Sequence, residues 1–364
     1  MENKIKHLIA LTHLKGIGFR RSRKILTKYG SAQKFISLWR SNSNEITPAI
    51  KNIFTAAELK KSLDFANIQL EYAKQKNVKI IPHFSDEYPY RLKRHDDSPL
   101  VLYTKGNMNL NCQRTIGVVG TRKMTYYGKI SLERIIPGFA RVNATIISGL
   151  AYGVDTYAHK ESIAHNIPTI GVMGTGINQI YPATNRNLAE KMQNSGGVIT
   201  EFGVKTKPDS FNFPLRNRII AALSDALIVI ESKLKGGAMI TADLAFNYNK
   251  DVFAIPGKIN DTYSAGTNAL IKTNKAQLIE SSEDVINAMN WDTPLQKTIQ
   301  PKLFNQLDTN EKRILESFNK NEPFHLESIL EKLQLSNSET AAILLNLQLK
   351  GIIKSLPGNQ YLII

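Results

Sequence analysis

Two arginines and two adjacent glycines are the residues with the clearest capacity for chemistry in this sequence. They lie in the stretch FPLRNRIIAALSDALIVIESKLKGGAMIT, where Arg216 and Arg218 come first and Gly236-Gly237 follows a short apolar run. Guanidinium groups bind phosphate oxygens, and so do the backbone N–H groups of a glycine loop that opens a helix. The stretch contains no obvious catalytic group, so it indicates binding of a phosphate polymer more than cleavage of one.

The spacing of the two arginines predicts different roles for them. Arg216 and Arg218 are two positions apart on a predicted helix that also carries Phe213 and Asn217, so the two guanidinium groups point to different sides. We expect one of them to reach a phosphate groove while the other braces the site. The alternative is that both side chains are solvated.

A second loop with phosphate-binding character is GVVGTRKMTYYGK, which contains an apolar run and the turn after it. Gly120 allows close approach of the backbone to a ligand, and the next helix directs partial positive charge towards the turn. The loop lacks the G-x-G-x-x-G pattern and the acidic residue of a dinucleotide site. Arg122 follows Thr121 in the turn, and we predict that its planar, permanently charged group contacts phosphate. The alternative is a structural ion pair between Arg122 and a buried carboxylate.

A third loop, IISGLAYGVDTYAHKES, combines glycines with an acid and a histidine. Ser148-Gly149 ends an apolar run, Gly153 keeps the turn tight, and Asp155 is placed to cap the helix that follows. His159 lies four residues after Asp155 on the same helix face, which is the arrangement of an acid–base pair. A helix cap beside a hydrogen-bonded histidine is the structural alternative, and we favour it. Two such groups are too few to define a metal site.

Two further loops add candidate contacts, and each of them also follows an apolar run. In GVMGTGINQIYPATNRNLAEKM, Tyr181 stacks on a base or packs beneath the loop, and Asn185 caps a helix or donates a hydrogen bond. In VFAIPGKINDTYSAGTN, Lys258 extends the predicted basic lining.

Six apolar runs precede these loops, and helical patterns separate them. The predicted strands are Ile116–Val119, Thr145–Ser148, Thr169–Met173, Gly197–Thr200, Ala226–Ile230 and Asp251–Ile255. Strands that alternate with helices predict an α/β fold, here a Rossmann-like, doubly wound, mainly parallel sheet with right-handed crossovers. In such a sheet the loops described above meet at the edge formed by the carboxyl ends of the strands.

The predicted sheet belongs to a Rossmann-like domain of residues 76–290, in which residues 76–114 form a connecting segment. Other segments flank this domain. Residues 1–75 predict a helical domain with a helix-hairpin-helix-like glycine turn, followed by basic residues that contact DNA or form a solvated face. Residues 291–308 are polar, contain two prolines and predict a linker. Residues 309–364 predict three helices and a β-hairpin around a Pro-Gly-Asn turn, which together make a winged helix.

The positive charge of the chain is distributed unevenly. The net charge of the whole chain is +16. Residues 1–100 carry 19 basic and 9 acidic residues, and residues 101–300 carry 21 basic and 15 acidic residues. Residues 301–364 carry 7 of each kind. The excess in the first two segments favours a polyanionic partner. The neutral tail favours a protein contact or structural support over the reading of duplex DNA.

The composition excludes several classes of protein. The single cysteine, Cys112, excludes an intramolecular disulfide framework and a cysteine-rich zinc site. No apolar run reaches the length of a membrane span, and the amino terminus lacks the apolar core of a signal peptide. We therefore expect a cytoplasmic protein without a membrane contact, a metal or a cofactor.

In this order, the motifs GTR, SGLAYGVDTYAH, GTGINQIYPATN, FPLRNRIIAALS, GGAMITA and IPG resemble the DprA/Smf family, the DNA-processing proteins of bacterial natural transformation. The resemblance covers most of the chain and is strongest over residues 115–285. It implies binding of single-stranded DNA with little sequence preference, protection of incoming DNA, loading of the RecA recombinase, and a homodimer formed through the Rossmann-like domain. It also implies a SAM-like amino-terminal domain and a winged-helix tail, and it implies no catalytic activity.

The loops and the resemblance together define one set of candidate DNA-binding residues. The set is Gly120, Thr121, Arg122, Ser148, Gly149, Gly153, Tyr181, Asn185, Phe213, Arg216, Asn217, Arg218, Gly236, Gly237 and Lys258. The sequence departs from the family pattern at two places: Tyr152 stands where arginine is usual, and KTNKA stands where Gly-Ala is usual. The first departure removes one positive charge near the crevice or substitutes a stacking ring.

The alternative function is that of an enzyme. Cytokinin-activating phosphoribohydrolases hydrolyse nucleotides on a related Rossmann-like fold, and the glutamate of their PGGxGTxxE loop is the acid–base group. The matching loop here is KGGAMITAD, which lacks both the Gly-Thr pair and the glutamate. Release of free base from nucleoside monophosphates distinguishes such a hydrolase from a DNA-binding protein.

Overall fold

A computed structural model of the protein describes residues 2–291, 308–318, 323–333, 336–350, 352–356 and 360–363. The chain folds into two compact units, Met1–Asp292 and Thr293–Ile364. The predicted linker, 291–308, lies almost wholly outside the described residues.

Helices form the first part of the first unit. They are α1 (Glu2–His13), α2 (Phe19–Tyr29), α3 (Ala32–Arg40), α4 (Pro48–Lys51) and α5 (Ala56–Lys76). Between α1 and α2, Gly16 has a φ of 81°, which is the left-handed region that favours glycine. The predicted pair of helices around a glycine turn is therefore present, and DNA contact by this turn stays a prediction.

A nine-stranded sheet forms the centre of the first unit. Its strands are β1 (Lys79–Pro82), β2 (Val101–Lys105), β3 (Thr115–Val119), β4 (Thr145–Gly149), β5 (Thr169–Val172), β6 (Gly196–Thr200), β7 (Ala226–Val229), β8 (Asp251–Ala254) and β9 (Gln277–Leu278). All six predicted strands are confirmed to within one residue at each end. Residues 76–114, predicted as a connecting segment, also contribute β2, which pairs antiparallel with β6, and β1, which pairs antiparallel with β2 and forms the edge of the sheet.

The strand order places the topological switch point of the sheet between β3 and β7. The order is β1-β2-β6-β5-β4-β3-β7-β8-β9, and all pairs from β6 to β9 are parallel. From β3 the chain adds β4, β5 and β6 on one side, whereas from β7 it adds β8 and β9 on the other. The loops that leave β3 and β7 therefore turn away from each other and open a crevice at the carboxyl edge, where ligands bind in doubly wound sheets.

Helices cover both faces of the sheet. They are α6 (Tyr90–Lys93), α7 (Tyr126–Ile135), α8 (Val154–Ala164), α9 (Arg186–Met192), α10 (Asn212–Leu223), α11 (Gly237–Asn247), α12 (Ala265–Lys272) and α13 (Ser282–Ala288). In β7, Leu227 and Val229 belong to one hydrophobic cluster, while Ala226 and Ile228 belong to another. Alternate side chains are thus buried on opposite faces, as expected for parallel strands that are covered on both sides.

The amino-terminal helices and the sheet share a hydrophobic cluster. Leu8 of α1, Phe35 of α3 and Leu63 of α5 lie in the same cluster as Tyr103 of β2 and Val198 of β6. This common core explains why the helical segment and the sheet form one compact unit.

The second unit combines three helices with a three-stranded antiparallel sheet. Its elements are α14 (Thr309–Ser317), β10 (Phe324–His325), α15 (Leu326–Leu333), α16 (Asn337–Leu349), β11 (Ile353–Leu356) and β12 (Gln360–Ile363). The predicted winged helix is confirmed, and the short β10 is an addition that the sequence pattern did not predict. Across both units, no helix of the described ranges is long and apolar enough to cross a membrane.

Candidate nucleic-acid interface

A cavity of about 660 Å³ lies at the carboxyl edge of the sheet, between the loops that leave β3 and β7. We name it the switch-point cavity. The predicted site residues in its lining are Gly120, Thr121, Arg122, Tyr181, Phe213, Arg216, Asn217, Gly236 and Gly237. The fold therefore brings four separate stretches of the sequence together at the predicted edge.

Arg122 stands over an aromatic ring at the cavity. Its guanidinium carbon lies 5.3 Å from the centroid of the Phe213 ring, and the Tyr181 ring lies 5.6 Å from that of Phe213. Arg122 is exposed, and no carboxylate of the described residues lies within 4.0 Å of it. The structural ion pair considered for Arg122 is thus not found there. A cation beside two rings offers a phosphate contact and stacking surfaces within one small area.

The amino end of α11 forms another wall of the cavity. Gly236 precedes α11 in an extended conformation, and Gly237 is its first residue. A Cβ atom at Gly236 would overlap the Ser232 hydroxyl, whereas one at Gly237 would meet no atom within 4 Å. The first N–H groups of a helix have no partner within it, and the helix dipole adds positive potential there. The open space over Gly237 therefore gives an anion access to these N–H groups.

Arg216 forms part of the cavity floor and is only 4% exposed. Its Nη1 donates a hydrogen bond to the Val172 carbonyl oxygen, while its Nε has no partner among the described residues. A Cβ atom at Gly149 would overlap both the Arg216 guanidinium and the Asp155 carboxylate, so these three residues share one small volume. Burial lowers the pKa of Arg216, and the negative charge of Asp155 opposes that shift.

Asp155 is the buried carboxylate of this floor. Burial raises its pKa to about 6, although the positive charge of Arg216 acts in the opposite direction. The prediction that Asp155 caps a helix is wrong, because α8 begins at Val154 and the residue at its cap is Gly153, with a φ of 72°. The short side chain of Asp155 lies within the first turn of α8 instead, where the helix dipole favours negative charge.

His159 is a structural residue. Its Nδ1 lies 2.7 Å from Thr169 Oγ1, and its Nε2 lies 2.8 Å from the Gly149 carbonyl oxygen. The side chain is fully buried, and burial lowers the pKa of His159 to about 4. Because both ring nitrogens are used in hydrogen bonds, the acid–base pair of Asp155 and His159 is wrong and the structural alternative for His159 is confirmed.

Arg218 lies outside the cavity lining, at the junction of α10 with the amino-terminal helices. Its Nη2 donates to Glu201 Oε2 at 2.5 Å, and its guanidinium carbon lies 4.6 Å from the centroid of the Phe19 ring. Arg216 and Arg218 are both nearly buried, so the alternative that both are solvated is wrong. Arg218 is the arginine that braces the structure, because Glu201 already neutralises its charge.

The remaining predicted residues do not line the cavity. Ser148 Oγ donates to a carbonyl oxygen of β3 at 2.6 Å, and Asn185 Nδ2 donates to the backbone of the loop after β4 at 2.8 Å. Gly149 leaves space for the Arg216 and Asp155 side chains, and Gly153 has a positive φ in the turn before α8. Lys258 is exposed in the loop after β8. These positions shape the loops, and DNA contact by them stays a prediction.

Two lysines that the sequence pattern did not single out also line the cavity. Lys123 follows Arg122 directly, and Lys233 lies shortly before Gly236 with its Nζ 5.3 Å from the Tyr263 ring centroid. The lysines on either side of Leu in KLKGG were the signal that could have identified Lys233.

The lining of the cavity carries a positive net charge. Its cationic residues are Arg122, Lys123, Arg216 and Lys233, and its acidic residues are Asp155 and Asp209. A positive concave surface concentrates the field that attracts a polyanion.

A doubly wound sheet with a cationic cavity at its switch point, joined to a winged-helix unit, defines a Rossmann-like protein suited to a phosphate-containing ligand. The family model described as DNA recombination-mediator protein A matches residues 79–290, and that of the DprA winged helix domain matches residues 301–359. The chain belongs to the DprA/Smf family of DNA recombination-mediator proteins.

Individual relatives agree with this assignment. The DNA processing protein DprA of Bacillus subtilis is 36% identical over 274 residues, which cover 74% of this chain and 91% of that protein. An X-ray structure of DprA from Streptococcus pneumoniae has a TM-score of 0.64 at 30% identity and covers 79% of this chain and 97% of its own. A Helicobacter pylori DprA structure, described for its single-stranded DNA binding mode, has a TM-score of 0.54 at 30% identity, with 59% and 96% covered.

Proposed function

We propose that the protein is a recombination mediator that binds single-stranded DNA in the switch-point cavity, protects incoming DNA and loads RecA onto it during natural transformation. It acts in the cytoplasm as a homodimer formed through the Rossmann-like domain, and it has no catalytic activity. Family membership is the only support for RecA loading, the dimer and the cytoplasmic location, and we assign no residue to them.

The pairing of cations with aromatic rings is the observation that carries the proposal. Arg122 supplies charge for a phosphate, and the rings of Phe213 and Tyr181 lie next to it. Lys233 adds a second cation to the lining, beside the Tyr263 ring. A single strand offers both phosphates and unstacked bases, whereas a duplex hides its base faces. The Helicobacter pylori relative described for single-stranded DNA binding supports the same class of ligand for this chain.

The position that carries the acid–base group in the hydrolase alternative is occupied differently in this chain. Asp243 occupies the position of the phosphoribohydrolase glutamate, and it forms an ion pair with Lys275 at 2.7 Å, outside the cavity lining. Asp155 has a raised pKa, but it is only 7% exposed and lies against Gly149 and Arg216. The position equivalent to the catalytic glutamate is therefore taken up by an ion pair outside the cavity, which supports a binding role for the cavity.

The test of this function is fluorescence anisotropy with a labelled oligo-dT strand and a hairpin duplex across a series of salt concentrations. We expect tighter binding of the single strand and a linear fall of log affinity with log salt. Arg122→Ala should reduce the magnitude of that slope by roughly 0.7 to 1, because one phosphate contact is lost. Arg134→Ala, which removes an exposed arginine of α7 outside the cavity lining, is the matched control. Equal affinity for duplex and single strand, or a slope unchanged by Arg122→Ala, would contradict the proposal.

The raised pKa of Asp155 predicts that DNA binding depends on pH. Bound phosphates favour the protonated form of this buried carboxyl, so the affinity for oligo-dT should rise as the pH falls through about 6. We expect a gain of roughly two- to tenfold between about pH 7.5 and 5.5. His159, with a pKa of about 4, stays neutral over this range. Asp155→Asn should remove the dependence, and an Asp155→Asn variant that keeps the full gain would contradict the assignment to Asp155.

A further inference from the structure

A second groove runs between α8 and α9 and has a volume of about 710 Å³. Tyr157 and Lys160 of α8 line it on one side, and Leu188 and Lys191 of α9 line it on the other. The residues of each pair are three positions apart, so each helix presents a single face to the groove. We name it the α8–α9 groove.

Tyr152 connects the α8–α9 groove to the switch-point cavity. This residue is 48% exposed and lines the groove. It also lines a narrow cleft together with Arg122, Tyr181 and Phe213, all three of which line the cavity as well. A strand that leaves the cavity past Arg122 therefore meets the ring of Tyr152 before it reaches α8.

The charge of the α8–α9 groove suits the same ligand as the cavity. Lys160 and Lys191 are exposed, and none of the residues that line the groove is acidic. Lys160 Nζ lies 5.1 Å from the centroid of the Tyr157 ring, so a cation stands over a ring here as Arg122 does over Phe213. In this second pair the lysine suits contact with a further phosphate and the ring suits stacking with a further base of the same strand.

Hydrogen bonds fix the base of the groove. Asn185 Nδ2 donates to the Leu150 carbonyl oxygen and to Thr156 Oγ1, both at 2.8 Å. These bonds join the start of α8 to the residues that lead into α9, so the two helix faces are held at their spacing. A preformed groove lowers the conformational cost of binding.

We propose that single-stranded DNA continues from the switch-point cavity over Tyr152 into the α8–α9 groove. Tyr152 stacks on a base at the exit, and Lys160 and Lys191 contact the phosphates that follow. The proposal rests on single-stranded DNA binding in the cavity, and it adds a second section to the path of the strand. It also gives a role to the tyrosine that replaces the usual arginine of the family.

The test is the dependence of affinity on strand length. We expect short oligo-dT of about six nucleotides to occupy the cavity alone and dT of about 20 nucleotides to reach the groove as well. We expect Tyr152→Leu and Lys160→Gln/Lys191→Gln each to weaken binding of the long strand by about fivefold or more, with little change for the short strand. Arg122→Ala should weaken binding of both strands. Lys60→Gln/Lys61→Gln, on the exposed surface of α5, removes the same net charge and is the matched control.

The outcomes separate the two proposals. If the unaltered protein binds neither strand, the proposed function itself fails. A second outcome is that the unaltered protein binds both strands and Arg122→Ala weakens binding of both. If the groove variants then keep full affinity for the long strand, only the extended path is overturned. Equal losses in the groove variant and the α5 control would also overturn it, because a general charge effect would then explain the result. A thermal melt of each variant verifies that it is folded.

Discussion

Gly237→Asp should strongly weaken binding of oligo-dT while leaving the fold intact. Gly237 is the first residue of α11, and a Cβ atom there would meet no atom within 4 Å. An aspartate at this position places a carboxylate at the amino end of the helix, where we expect a phosphate to bind. Like charges in one site oppose each other strongly, so we expect affinity to fall by at least roughly tenfold, measured by anisotropy at low salt.

The same substitution should not destabilise the protein. Aspartate has a slightly better helix propensity than glycine. An acid in the first turn also gains about 0.3–1 kcal/mol from the helix dipole. The melting temperature of Gly237→Asp should therefore equal or exceed that of the unaltered protein. Gly237→Asn has nearly the same shape without the charge and should bind DNA with much smaller loss. Retention of full affinity by the Gly237→Asp variant would exclude the amino end of α11 from the DNA interface.

Arg216→Ala should lower the free energy of unfolding by about 3 kcal/mol, because it leaves the buried Asp155 carboxylate without its nearby cation. It also removes the hydrogen bond that Arg216 donates to the Val172 carbonyl oxygen. Urea denaturation measures the change. Arg122→Ala deletes an exposed arginine of the same cavity and should cost less than about 1 kcal/mol, which makes it the matched control.

Two further measurements identify the cause of this loss. Arg216→Ala/Asp155→Ala should be more stable than Arg216→Ala alone, since the unpaired charge is gone. Burial raises the pKa of Asp155 above its unfolded value, so the folded protein takes up a proton and gains stability as the pH falls through about 6. Without Arg216 that gain should be larger and begin at higher pH. A variant as stable as the unaltered protein at neutral pH would show that Asp155 does not need Arg216.

Much of the fold was readable from the sequence because it depends on local patterns. Apolar runs that alternate with helical patterns identified β3 to β8, and the glycine loops that follow those strands identified the edge where the cavity lies. Arg122 was predictable because it projects from a short turn with no acidic residue beside it in the sequence. These features depend on residues that are close together in the sequence, so the sequence alone was enough to predict them.

Properties set by distant partners could not be inferred in this way. The spacing of Arg216 and Arg218 predicts that they diverge, but their burial depends on Asp155 and Glu201, which come from other elements. In the same way, the hydrogen bonds of Ser148 and Asn185 depend on how neighbouring loops meet. The edge strands β1 and β9, and β2 next to β1, gave weak signals because part of each lacks the apolar run of a central strand.

Gly149 shows how steric fit restricts change in this site. Gly149 has no Cβ atom, and the ends of the Arg216 and Asp155 side chains fill the space that such an atom would occupy. A larger residue at 149 would force both charged groups to move, and a smaller residue at 216 would leave a void beside an unpaired carboxylate. The three side-chain positions therefore constrain one another, and a change of size or charge at one of them alters what fits at the other two.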